Sequence, residues 1–119
     1  MRIFSFVFIM LMPSVLWADM PVVEGAEARK SGGTWSFSVT VSHGDTGWDH
    51  YADGWRVEAP DGTELGYRKL LHPHVNEQPF TRSLGGVSVP DGMTEVVIRA
   101  HDSVHGWGAP YALTLPGDG

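Results

Sequence analysis

The chain has 119 residues, eight basic against fourteen acidic side chains for a formal net charge of −6, and no cysteine. That length holds one domain around one core. The acidic balance argues against phosphate backbones and anionic lipid surfaces, which need a basic face, and the lack of thiols excludes disulfides, cysteine nucleophiles, Fe–S clusters and Cys-ligated zinc.

Met1-Arg2 supplies one positive charge, Ile3 to Trp17 is apolar, and Ala18-Asp19 follows. This is the three-part pattern of a secretory signal peptide. The apolar run is shorter than the roughly 20 residues of a membrane span, contains Pro13 and meets an acid at once. Cleavage after Ala18 is therefore expected, leaving residues 19–119 as a single domain with no membrane contact and no N-terminal cysteine for a lipid. Leu16, three residues before that bond, is larger than usual and leaves the exact cleavage site open.

Pro21 to Lys30 alternates weakly and Ser31-Gly32-Gly33 turns the chain. Thr34 to Ser42 then alternates strictly, with Trp35, Phe37, Val39 and Val41 on one face and Thr or Ser on the other, as a half-buried strand requires. His43 to Gly54 reads as a loop. Trp55 to Glu58 is a strand closed by Ala59-Pro60-Asp61-Gly62, a turn in which Pro presets φ and Gly supplies φ > 0. Thr63 to Leu71 returns, and Leu71 to Pro79 is a loop holding His72, His74 and Glu77. Phe80 to Val89 is a strand bent at Gly85-Gly86, and Val89-Pro90-Asp91-Gly92 repeats the earlier turn. Thr94 to Ala100 carries the β-branched run of a central strand. His101 to Gly108 is the next loop and Tyr111 to Leu115 the last strand. About seven short strands without a helix predict an all-β immunoglobulin/fibronectin-like antiparallel β-sandwich, with a small barrel as the alternative.

Successive antiparallel strands send connections to alternate poles of a sandwich. Both Pro-Asp-Gly turns then fall at one pole. All six histidines, His43, His50, His72, His74, His101 and His105, fall at the other, with Asp45, Asp49, Asp53, Glu77, Asp102 and the rings of Trp48, Tyr51, Trp55 and Trp107. Rich loops on a rigid scaffold are where binding resides.

Imidazoles beside carboxylates are the ligand set of a transition metal. His72, His74, His101 and His105, joined by His43 and His50, are the candidate metal ligands, and Zn or Cu(II) is the expected ion. The bland counterpart is that these rings cap strand ends and stiffen turns. The alternative function is a non-catalytic module binding a protein, peptide, sugar or other small ligand through Trp48, Tyr51, Trp107, Asp49, Glu77 and Asp102. Against it stands the reading of Trp55 and Trp107 as plugs of the core. Glu77 and Arg82 pair at the base of their loop, a contact of little energetic weight when exposed.

Ser42-His43-x-Asp45 contains the residue types of a hydrolytic triad, but neighbours on a strand point to opposite faces. No metalloprotease, nucleophile-elbow or phosphate-loop motif is present. No reaction is assigned and a non-enzyme is expected; a metal-bound water would be the route to hydrolysis.

His72-Pro73-His74-Val75-Asn76-Glu77-Gln78-Pro79-Phe80-Thr81-Arg82-Ser83, with Ala100-His101-Asp102-Ser103-Val104-His105-Gly106, resembles a family of small, mostly uncharacterised exported proteins of proteobacteria. The resemblance implies an exported Gram-negative setting, hence the periplasm, with secretion as the alternative. It implies no activity, cofactor or partner.

Overall fold

The computed structural model describes residues 20–117; the expected signal peptide, residues 1–18, lies outside them. Among the described residues eight strands form: β1 Val22–Ser31, β2 Thr34–Ser42, β3 Ala52–Glu58, β4 Glu64–Lys69, β5 Phe80–Val87, β6 Glu95–Asp102, β7 Gly106–Trp107 and β8 Tyr111–Thr114. Among the described residues there is no helix. The first sheet has the order β1-β2-β5. The second runs β4-β3-β6-β7, with β8 also paired to β6.

All the ladders are antiparallel. The result is an open two-sheet sandwich rather than a barrel. Its three-plus-five partition differs from the four-plus-three partition of immunoglobulin constant domains.

Strand alternation places the core. Phe37, Val39 and Val41 of β2 have no exposed surface, nor do Trp55 and Val57 of β3 or Val96, Ile98 and Ala100 of β6. Val23, Trp35, Phe80 and Val87 complete the first sheet's inner layer. Burying each large apolar side chain contributes about 1.5–3 kcal/mol.

The expected strands form, with two informative shifts at their ends. β3 begins at Ala52 and β6 runs on to Asp102 because those residues pair with each other, and Gly106-Trp107 pairs back onto His101-Asp102. His101, expected in a loop, therefore lies in a strand. The bend at Gly85-Gly86 is a bulge: Trp35 pairs with Val87 but Phe37 with Leu84, and Gly86 has φ +68°.

Polarity follows from the registers. Val41 faces Phe80 and Ala52 faces Asp102 at one pole, so the connections 43–51, 70–79 and 103–105 gather there. The two Pro-Asp-Gly turns close the opposite pole, with Gly62 at φ +95° and Gly92 at φ +86°.

Candidate metal centre

The inward row of β2 does not stop at the strand's end. Trp35, Phe37, Val39 and Val41 are followed, still at period two, by the buried His43 and Asp45. The inward row of β6 likewise runs Val96, Ile98, Ala100 and then Asp102, which is fully buried. The two sheets therefore present a polar layer on top of an apolar core.

The His43 ring bridges two carboxylates. Its Nδ1 lies 2.6 Å from Asp45 Oδ1 and its Nε2 lies 2.6 Å from Asp102 Oδ2, with all three side chains at 0 % exposure. Both contacts are hydrogen-bond lengths, so the two ring nitrogens of His43 are each engaged by a carboxylate oxygen. Asp45 is held from other sides as well: Ala52 N donates to its Oδ1 at 3.0 Å and His74 N to its Oδ2 at 2.6 Å.

Asp102 gathers donors from two loops. Its Oδ1 accepts from Val104 N at 2.6 Å and His105 N at 3.0 Å. Its Oδ2 faces His43 Nε2, His50 Nε2 at 2.7 Å and His105 Nδ1 at 3.4 Å. Burial by itself pushes the Asp102 carboxyl up. The backbone N–H groups of Val104 and His105, with the side chains of His50 and His43, outweigh it and hold the group at about 2.

His50 arrives through a tight turn in which Thr46 N bonds His50 O at 3.0 Å and His50 N bonds Gly47 O at 3.1 Å. Gly47 sits at φ +141°, which favours glycine. Tyr51 and Ser103 tie this loop to the β6–β7 loop, Ser103 N donating to Tyr51 O at 2.9 Å and Tyr51 N to Ser103 Oγ at 3.0 Å. Access from solvent lies on the side of His50 and His105, whose side chains are 19 % and 29 % exposed.

Donor atoms of His43, His50 and Asp102 lie within 4.8 Å of one another, the spacing at which three groups can hold a metal ion. His105 Nδ1 lies outside that group of three, 3.4 Å from Asp102 Oδ2. Asp45, bonded to the far nitrogen of His43, occupies the position of the carboxylate that orients a ligating imidazole. In a tetrahedral zinc site, ligand atoms stand roughly 3.3 Å apart. The 2.6 and 2.7 Å contacts at Asp102 Oδ2 are hydrogen-bond lengths; a metal would replace the protons there and open each contact by about 0.6 Å.

The other candidate residues lie elsewhere. His74 is buried and stacks on Phe80 with centroids 3.8 Å apart. Its Nε2 is 3.0 Å from Arg82 Nη2. Burial, then the Arg82 and His72 charges, push its ring below the ordinary histidine value. His72 is exposed on the same loop, its ring 4.6 Å from that of His74. Gln78 latches the loop, accepting from His43 N at 2.9 Å and donating to His74 O at 2.8 Å. His101 points outward, its Nδ1 donating to Asp53 Oδ1 at 2.5 Å.

Trp48 is 66 % exposed and packs edge-on against Tyr51. Asp49 is exposed beside it. Glu77 is exposed 3.7 Å from Arg82. Trp55 is buried in the core, whereas Trp107 is part of the outer face, stacked under the Arg56 guanidinium. Ser42 Oγ donates to Glu24 Oε2 at 2.6 Å, away from His43, so Ser42, His43 and Asp45 do not form a triad. Asp45 and Asp53 are placed at this pole by the sequence but given no individual role, and Gln78 and Tyr67 are not among its candidates. Continuing the β2 alternation by two steps gives Asp45 its inward position; nothing local marks Gln78 or Tyr67.

Fold and geometry together define a small β-sandwich whose core is closed at one pole by a buried histidine–aspartate centre. A protein of Halomicrobium mukohataei bearing the name "Putative lipoprotein" is 54 % identical to this chain over 72 residues, which is 60 % of this chain and 35 % of that protein. The chain thus spans about a third of that relative's length. This relative is archaeal rather than proteobacterial. No family model and no solved structure matches.

Proposed function

We propose that this chain is an exported protein that holds a divalent transition metal, Zn(II) or Cu(II), through His43, His50, His105 and Asp102. The observation that carries this reading is the meeting of three imidazole nitrogens, from two loops, on the single oxygen Asp102 Oδ2 at the end of β6. Asp45 orients the His43 ring from behind. Four protein donors fill a tetrahedral shell, the arrangement of a structural or storage site, while catalysis needs an open position. Export is supported by the leader-like start of the sequence and by the name of the archaeal relative, a lipoprotein. In a Gram-negative cell the compartment would be the periplasm. These 119 residues contain no cysteine to carry a lipid.

Calorimetric titration of Zn(II) and Cu(II) into the metal-free protein tests the assignment. Binding at micromolar or tighter affinity is expected for the wild type and for His72→Ala/His101→Ala, and is expected to vanish in His50→Ala/His105→Ala. No binding to the wild type, or equal loss in both double variants, would overturn it.

A further inference from the structure

The outer face of the second sheet carries a second cluster that shares no residue with the metal centre. Alternation sends Arg56 of β3, Tyr67 of β4, and Arg99 and His101 of β6 outward, since Arg56 pairs with both Tyr67 and Arg99. Trp107 of β7 stands opposite His101. Their rings meet: His101 lies 4.6 Å from Trp107, and Tyr67 lies 6.3 Å from it at an interplanar angle of 80°.

Gly54 is the floor of this corner. A Cβ there would collide with the Tyr67 hydroxyl and ring, so glycine is what lets the phenol lie down across the strand. Tyr67 stays 41 % exposed, and the side chains of His101, Asp53 and Arg56 are 28 %, 26 % and 25 % exposed. The corner is exposed to solvent.

Its charges are already matched internally. Asp53 pairs with His101 at 2.5 Å, and Arg56 pairs with the buried Glu58 at 2.6 Å while stacking 4.1 Å from the Trp107 ring centre. The stacked guanidinium already holds one face of Trp107 against a cationic ligand. The overall charge of −6 opposes an acidic one. What the cluster still offers is aromatic surface set at right angles, with a phenol, an imidazole, a carboxylate and a guanidinium along its rim. That combination suits the C–H faces and ring hydroxyls of a neutral sugar.

We propose that the corner formed by Asp53, Arg56, Tyr67, His101 and Trp107 binds a neutral saccharide. A pyranose face packs on Tyr67 or Trp107, and its hydroxyls bond Asp53 and His101 Nε2. The site is independent of the metal centre.

Affinity electrophoresis of the folded protein in native gels containing hydroxyethylcellulose, galactomannan or dextran tests this, with alginate as the acidic comparison. Retardation is expected in at least one neutral gel. Tyr67→Ala and Trp107→Ala should each weaken it about fivefold or more, the order of one aromatic contact. Trp107→Phe, which keeps a ring, should restore most of it, and His50→Ala/His105→Ala should leave it unchanged. Thermal unfolding of each variant shows whether a loss reflects the site or the fold. Wild-type mobility unaltered in all three neutral gels would overturn the proposal. So would retardation by alginate alone, or retardation that survives Tyr67→Ala/Trp107→Ala.

Discussion

His43, one residue past β2, and Asp102, the last residue of β6, reach across the sandwich from opposite sheets and meet at 2.6 Å with neither side chain exposed. A buried charged contact of this kind is costly to break from one side, because the partner is left uncompensated. Asp102→Asn is therefore expected to destabilise the protein by about 3 kcal/mol in urea unfolding. A loss under about 1 kcal/mol would show that the His43 ring is content without a carboxylate on that side.

Acid should act in two stages. The Asp102 carboxyl is depressed from 3.8 to about 2, so its contribution is complete above 3.8 and is lost as pH falls from there toward 2. The depression corresponds to roughly 2 kcal/mol. His74 is also depressed, from 6.5. Its neutral ring favours the fold above 6.5, and that support declines as pH drops below it. Stability measured against pH should thus fall gently below 6.5 and steeply below 3.8; His74→Gln should flatten the first limb and Asp102→Asn the second. A profile identical in all three proteins would contradict both assignments.

Metal should stabilise the native state alone. At a free Zn(II) concentration 100 times its dissociation constant, the gain is about 2.7 kcal/mol, or roughly 10 to 20 °C in the unfolding midpoint for a domain of this size. EDTA should reverse the shift, and His50→Ala/His105→Ala should show none. An equal shift in that variant would place the metal elsewhere.

Two glycines in neighbouring strands should respond differently to alanine. At Gly54 the added carbon meets the far end of the flexible Tyr67 side chain, so Gly54→Ala should change stability by less than about 1 kcal/mol while displacing the phenol and weakening saccharide retardation as Tyr67→Ala does. At Gly66 it meets Leu84 Cδ2 at 3.0 Å and Val87 Cγ2 at 3.1 Å in the facing sheet. Gly66→Ala should cost about 1–3 kcal/mol through overpacking. Urea unfolding and near-UV circular dichroism separate the two, and reversed magnitudes would refute the assignment of faces.

Much of this architecture was readable from spacing. Strict alternation marks β2, the β-branched run marks β6, and counting turns assigns each loop to a pole. The same alternation, carried one step past Val41 and Ala100, turns His43 and Asp102 inward. Parity assigns a pole but not a face. His101 and Asp102 are adjacent, yet one serves the outer surface and the other the buried centre. The bulge between Ala52 and Gly54 and the short β7 ladder position Asp53 and Trp107, and both depend on pairing between distant segments. His72 and His74 lie in a loop without period, where only tertiary packing against Phe80 and Arg82 decides which ring is buried.

Apolar contacts are not directional, so an inner face of valines and aromatics discriminates between offsets of one sheet against the other less sharply than hydrogen bonds do. The hydrogen bond from His43 beyond β2 to Asp102 of β6 crosses between the sheets and favours a single offset, so the polar layer works as an alignment pin. Replacing His43 and Asp102 together by leucine should therefore leave a protein that still folds but populates more than one sheet alignment, visible as doubled amide resonances in strands β2 and β6. A single sharp set of resonances would show that the apolar layers align themselves.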